Sequence, residues 1–266
     1  MNRLAAISAH VVTPNMNRQI ASATSASTNT RKTIVVTGCT SGLGAALVEN
    51  YVKLGHRVVG CGRRPERIAQ LQKQYDGDHC FAVCDVADEA SVASWARSVL
   101  SEVSSCVDVL INNAGIEMGG GIPLWTVSKE TWDKVFSVNV HGVLNVMRYI
   151  VPAMVKRGSG LIVNISSGTG HSTFDSTGNG VYSTSKWAVE SISKCVAMTL
   201  PPGIICVPWA PGIVKTEMNT SDKYPTARQW GVIAAPLILN LGDSPSAEEF
   251  NGASMVMPGY CALLCC

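Results

Sequence analysis

Charge is scarce in this chain of 266 residues. Only 15% of its residues are Asp, Glu, Lys or Arg, against ~25% in an ordinary globular domain. Aromatic residues are few as well, at 6%, whereas 46% of the chain is apolar. That balance excludes a disordered protein, because disordered chains are poor in apolar groups and rich in charge. No apolar run reaches the ~18 residues needed to cross a bilayer as a helix. None of the ten cysteines forms a C-x-x-C pair or a Cys/His cluster, so no zinc site, and no metal, is expected. Several of them fall in strand-like runs where a thiol acts as a small core hydrophobe, which suits a reducing compartment. Acid is absent from the N-terminal segment: the first acidic residue is Glu49, and four of the 21 basic groups (Arg3, Arg18, Arg31 and Lys32) precede it. Beyond Lys32 the chain carries 17 basic against 19 acidic groups. The net charge of +2 therefore belongs to the N-terminal segment, and no dense basic patch points to nucleic acid.

Residues 1–30 are rich in Ser, Thr, Ala and Asn and include Arg. That composition suits an organelle transit peptide or a plain disordered extension. A cytoplasmic location is expected, or a chloroplast or mitochondrial one if the leader is an address. Residues 31–260 read as a single domain, followed by the cysteine-rich tail 261–266. The tail lacks the C-a-a-X lipidation pattern, since Leu263 stands fourth from the end.

From Thr33 onward, short β-branched runs alternate with helical stretches. Strands are expected at Thr33–Thr37, Arg57–Cys61, His79–Cys84, Val107–Ile111, Leu161–Ile165 and Ile204–Val207. Helices are expected at Leu43–Leu54, Pro65–Tyr75, Ala90–Val103, Ser128–Lys156 and Tyr182–Met198. Strands alternating with helices of ten or more residues mean βαβ units. Right-handed crossovers then give a doubly wound, Rossmann-like α/β fold: one parallel sheet with helices on both faces.

Three constellations carry chemistry. Gly38, Thr40, Ser41, Gly42, Leu43 and Gly44 form a G-x-x-x-G-x-G loop between a strand and a helix. Such a loop permits a tight turn, a close approach to a pyrophosphate and close helix packing, and the helix N-terminus favours phosphate. The end of the second strand carries Arg63 and Arg64 where a site for unphosphorylated ribose wants an acid. Guanidinium groups there suit a 2′-phosphate, so NADPH is the expected cofactor. Asp85, followed by Val86, is a candidate acceptor for the adenine amino group, or else a turn aspartate. Tyr182 and Lys186 are one helical turn apart and share a face. An ammonium there is expected to lower the phenol's pKa and ready it for proton exchange. Ser167, at the end of a strand, is a candidate carbonyl-polarising hydroxyl, with Ser166 as the fallback.

These segments, with Asn112–Gly115, Asn139 and Pro211–Thr216, occur in the order of the short-chain dehydrogenase/reductase family, which the chain resembles over roughly residues 31–257. The resemblance implies roles for these positions. Tyr182 would be the catalytic acid/base and Lys186 its partner on the nicotinamide ribose. Ser167 would orient the carbonyl, and Asn139 would hold a relay water. Asn113, Ala114 and Gly115 would line the adenosine ribose. Pro211, Gly212, Val214 and Thr216 would contact the nicotinamide. The 15-residue gap from Ser167 to Tyr182 is longer than the family's usual spacing, so substrate fit is expected to differ. The stretches Arg57–Arg64, Leu161–Gly168, Tyr182–Lys194 and Ala210–Met218 are similar to a plant branch that reduces pterin-6-aldehydes with NADPH. Trp209, Met218, Tyr224 and Trp230 are candidates for stacking on such a planar ring. The resemblance implies a carbonyl reductase of small molecules, working as a homodimer or homotetramer with no membrane span. Two other readings remain: a non-catalytic NADP(H)-binding regulator or scaffold of the same fold, and an NAD-linked alcohol oxidation, which Arg63 disfavours.

Overall fold

The computed structural model describes residues 30–170, 179–244 and 247–257. The leader, the cysteine tail and most of the lengthened segment after Ser167 lie outside the described residues. Seven strands form one sheet in the order β3-β2-β1-β4-β5-β6-β7, every pair parallel. They are β1 (Thr33–Thr37), β2 (Arg57–Gly62), β3 (Cys80–Val83), β4 (Val109–Asn112), β5 (Gly160–Ile165), β6 (Ile204–Ala210) and β7 (Met255–Val256). β1 pairs with β2 on one side and β4 on the other. The chain thus reverses its winding between β1 and β4, the position where open α/β sheets bind ligands beyond their carboxyl edge.

The helices are α1 (Gly42–Lys53), α2 (Pro65–Gln74), α3 (Glu89–Glu102), α4 (Lys129–Phe136), α5 (Gly142–Arg157), α6 (Gly180–Ala197) and α7 (Ala227–Asp243). They cover both faces of the sheet, so the central strands are buried on both sides and read as unbroken apolar runs. On one face Leu47, Val48, Ile68, Trp230 and Ile238 pack against Ile34, Val36, Val163 and Val207. On the other, Trp95, Val99, Val146, Ile150 and Val189 pack against Val35, Leu110 and Ile162. Among the described residues no helix is long and apolar enough to cross a membrane.

Two helical elements depart from the expected pattern. The single helix expected over Ser128–Lys156 is divided: a π-helical turn at Ser137–His141 separates α4 from α5. Such turns are rare and gather at functional sites; this one carries Asn139. Helix α7 has no counterpart among the expected helices, because Gly231 and Pro236, which it runs through, read as breaks in the sequence and a helix apolar on most sides shows little periodicity. A full capping box, Thr226 with Gln229, starts it.

Candidate active site

The adenosine half is made mainly of main chain. Gly38 has φ +65°, and a Cβ there would lie 2.9 Å from Ala114 Cα. Gly44 has no room for a Cβ either, since Gly38 O and the Asn113 amide occupy its place. Asn113 holds the loop in shape: its Nδ2 donates to Thr37 O (2.9 Å) and Gly38 O (3.1 Å). Thr37 Oγ1 in turn accepts from the amides of Asn113 (3.0 Å) and Ala114 (3.1 Å). The side chain of Asn113 therefore faces the glycine loop. Ser41 precedes α1 without a side-chain cap, and the first turn holds no acid. The amides of that turn are left to an anion.

Arg63 at the end of β2 is exposed and Arg64 half-buried. Arg64 reaches Glu217 (3.4 Å), with Arg67 farther from the same carboxylate (3.8 Å). Glu217 directly follows Thr216, whose own Oγ1 accepts from Met218 N and Asn219 N (3.2 Å each). Thr216 also faces Gly42, at 3.6 Å from the position of a Cβ there. Asp85 accepts from Ala87 N (3.0 Å), the geometry of a turn aspartate. Val86 and Val214 are buried.

The chemical half sits at the ends of β4, β5 and β6. Helix α6 starts at Gly180, capped by Asn179, whose Oδ1 accepts from Tyr182 N (3.4 Å). Tyr182 and Lys186 follow on one face, with Lys186 Nζ 5.5 Å from the Tyr182 ring centre. Lys186 is buried and donates to Ile165 O (2.8 Å). Its Nζ lies 3.6 Å, and Asn139 Oδ1 3.4 Å, from where a Gly115 Cβ would stand, so these three positions converge. Both amide hydrogens of Asn139 are committed, to Ile116 O and Ser185 Oγ (2.9 Å each), while its Oδ1 accepts from Ile116 N (2.8 Å). Ser167 acts on the Tyr182 phenol, drawing its pKa down, while its Oγ is also within hydrogen-bond reach of Thr169 N (3.3 Å) and Thr169 Oγ1 (3.2 Å); Ser166 is buried and has no such influence on the phenol.

The electrostatics correct one expectation. Tyr182 is not shifted down by Lys186: burial pushes the phenol well above its ordinary value, the charge of Glu117 adds to the rise, and only the bond from Ser167 opposes it. The ammonium points at the Ile165 carbonyl and does not outweigh desolvation. Burial also lowers Lys186 from 10.5 to about 8, with Glu190 one turn further along α6 acting against the fall. Glu190 is itself buried and accepts from Ser254 Oγ (2.6 Å). Glu117 and Asn179 lie outside the motifs read in the sequence, and Glu190 and Glu217 fall inside matching stretches without being singled out; only the capping position of Asn179 before a helical run offers a signal.

The aromatic candidates divide. Trp209 and Trp230 are fully buried, the latter donating its Nε1–H to Pro211 O (3.0 Å). They pack the core and are not available to stack on a substrate. Met218 is 47% exposed and Tyr224 half-buried, so of the four candidates only these two are accessible to a ligand. On the far side of α5 and α6, Val155, Trp187 and Met198 are exposed.

Residues 32–225 match the family described as short chain dehydrogenase. An NADPH-dependent pterin aldehyde reductase of Arabidopsis thaliana is 36% identical over 236 residues, covering 85% of this chain and 93% of that protein. An NADP-dependent 3-hydroxy acid dehydrogenase of Escherichia coli is 32% identical over 160 residues, covering 60% of this chain and 63% of the relative. Among solved structures, "ElxO with NADP Bound" superimposes with a TM-score of 0.74 at 26% identity, covering 85% of this chain and 97% of that one.

Proposed function

As the chain belongs to the short-chain dehydrogenase family, and is thus an oxidoreductase of CH–OH and carbonyl groups, we propose that it reduces an aldehyde or ketone with NADPH, a pterin-6-aldehyde being the leading substrate. The single observation that carries this reading is the convergence of Ser167, Tyr182 and Lys186 at the carboxyl edge of the sheet, beside the glycine loop. A regulator without turnover has no use for that triad.

The residues present fit the cofactor. The space left by Gly38 and Gly42, both at positive φ, and the free amides at the start of α1 would hold the pyrophosphate. Arg63 and Arg64 would take the 2′-phosphate, with Ala114 and Gly115 on the adenosine side. Pro211, Gly212, Val214 and Thr216 would border the nicotinamide, and Lys186 its ribose. NADPH, when bound, supplies the hydride. Tyr182 holds the proton that the carbonyl oxygen needs as it becomes an alkoxide. A phenol raised by burial stays protonated at neutral pH, which suits reduction. Ser167, bonded to that phenol, shares the developing negative charge.

The pterin reading rests on the likeness to the Arabidopsis reductase and on the accessibility of Met218 and Tyr224. Steady NADPH oxidation with pterin-6-aldehyde and a panel of simple aldehydes tests it. Turnover is expected with several aldehydes and best with the pterin; no turnover with any carbonyl refutes the enzyme reading. The apolar exposure of α5 and α6 supports a homo-oligomer built across them, which sedimentation of the purified chain measures.

A further inference from the structure

Glu117 is an exposed carboxylate close enough to Tyr182 to act on its phenol, with no task in the proton transfer. It follows directly on Ile116, whose amide and carbonyl are both held by Asn139 (2.8 and 2.9 Å), so its main chain is anchored. Its side chain is anchored too: Glu117 Oε1 accepts from Asn179 Nδ2. Asn179 is buried and caps the helix that carries Tyr182. The carboxylate is thereby fixed beside the N-terminal end of α6, while the residue as a whole stays exposed. Its anchoring partner is a neutral amide, so the negative charge is not cancelled by that contact. The charge is felt at the reacting phenol, which it pushes upward.

A substrate carbonyl bonded to Tyr182 must lie within the same field. Two like charges a few ångströms apart at a protein surface repel by an amount that reduces binding about tenfold or more. A ring presenting N–H groups finds instead a fixed acceptor, and hydrogen bonds to a charged group are stronger than neutral ones.

We propose that Glu117 is a specificity-determining residue that turns away carbonyl substrates bearing a carboxylate and favours heteroaromatic aldehydes with N–H donors, such as an aminopyrimidinone ring. This rests on the reading of Tyr182 as the proton donor. It would separate this chain from relatives named for hydroxy acids.

The test compares the wild-type protein with Glu117→Gln, which keeps an acceptor for Asn179 but removes the charge. The readout is the ratio of kcat/KM for 4-carboxybenzaldehyde to that for benzaldehyde, with NADPH. The ratio is expected to rise about tenfold in the variant. In the wild type it is expected to rise with added salt, which screens exposed charges, and to respond less in the variant. An unchanged ratio overturns the proposal. A second measurement needs no turnover: binding of benzoate against benzyl alcohol to the NADPH-loaded protein, followed by NMR. Weaker benzoate binding in the wild type, relieved in Glu117→Gln, supports the charge filter. Equal discrimination in both proteins overturns it. Absence of all NADPH-linked reduction refutes the carbonyl-reductase reading, while the binding experiment still decides the role of Glu117.

Discussion

Around the glycine loop after β1 the candidate site is shaped largely by main chain; at the ends of β4, β5 and β6 it is shaped largely by side chains. The first region is shaped by missing Cβ atoms at Gly38 and Gly44 and by the bonds of Thr37 and Asn113 to the loop. The second depends on Ser167, just past the end of β5, and on Tyr182 and Lys186 from one face of α6, with Glu117 and Glu190 setting the field around them. A phosphate-binding cradle can be built from local backbone geometry and a helix N-terminus. A proton-transfer site cannot, because it requires titratable groups placed against one another in a desolvated space.

Replacing one group in each region sharpens this contrast. The largest effect is expected in the chemical half. Tyr182→Phe is expected to lower kcat by ~10²–10⁴-fold while NADPH still binds, as fluorescence titration would show. Equal losses of binding and turnover would place Tyr182 in the cradle instead. Next comes pH. Lys186, held near 8, is an ammonium below that pH and neutral above it. Its interaction with a ribose and its charge beside Tyr182 are therefore present on the acid side and lost as pH rises. Turnover is expected to fall about tenfold per unit above pH 8. Glu190→Gln is expected to move that limb toward lower pH, because the charge that supports the ammonium is gone; a limb that stays in place removes Glu190 from this role.

Smaller effects are expected in the cradle. Arg64→Ala should raise KM for NADPH about tenfold, the worth of a charge-assisted bond, and leave KM for NADH nearly unchanged. A preference for NADH in the unaltered protein would reverse the cofactor assignment. Glu217→Gln should act in the opposite direction and less, tightening NADPH roughly twofold, since the exposed Arg64–Glu217 pair competes weakly for the guanidinium. Steady-state kinetics with both cofactors reads these changes.

Much of the fold is legible in the order of the residues. The central strands are unbroken β-branched runs because helices bury both of their faces, and the glycine spacing marks its loop because a strand precedes it and a helix follows. Local rules miss α7, whose Gly231 and Pro236 read as breaks, and β7, only two residues long. They also misjudge two tryptophans: Trp209 and Trp230 fall in the right stretch for a substrate cleft, yet both point into the core. The charged residues around the site that carry no local signal are bonded across long separations: Glu117 to Asn179 over 62 positions, Glu190 to Ser254 over 64, and Arg64 to Glu217 over 153.

Near neighbours along the chain suffice to specify strand and helix identity, the anion-binding turn and the shared face of Tyr182 and Lys186, because each of these depends on short-range geometry. The balance of charge at the site has a different origin. Whether Lys186 lowers the phenol or burial raises it depends on which groups are desolvated together. That follows from groups brought together out of distant parts of the chain, and here burial and Glu117 prevail.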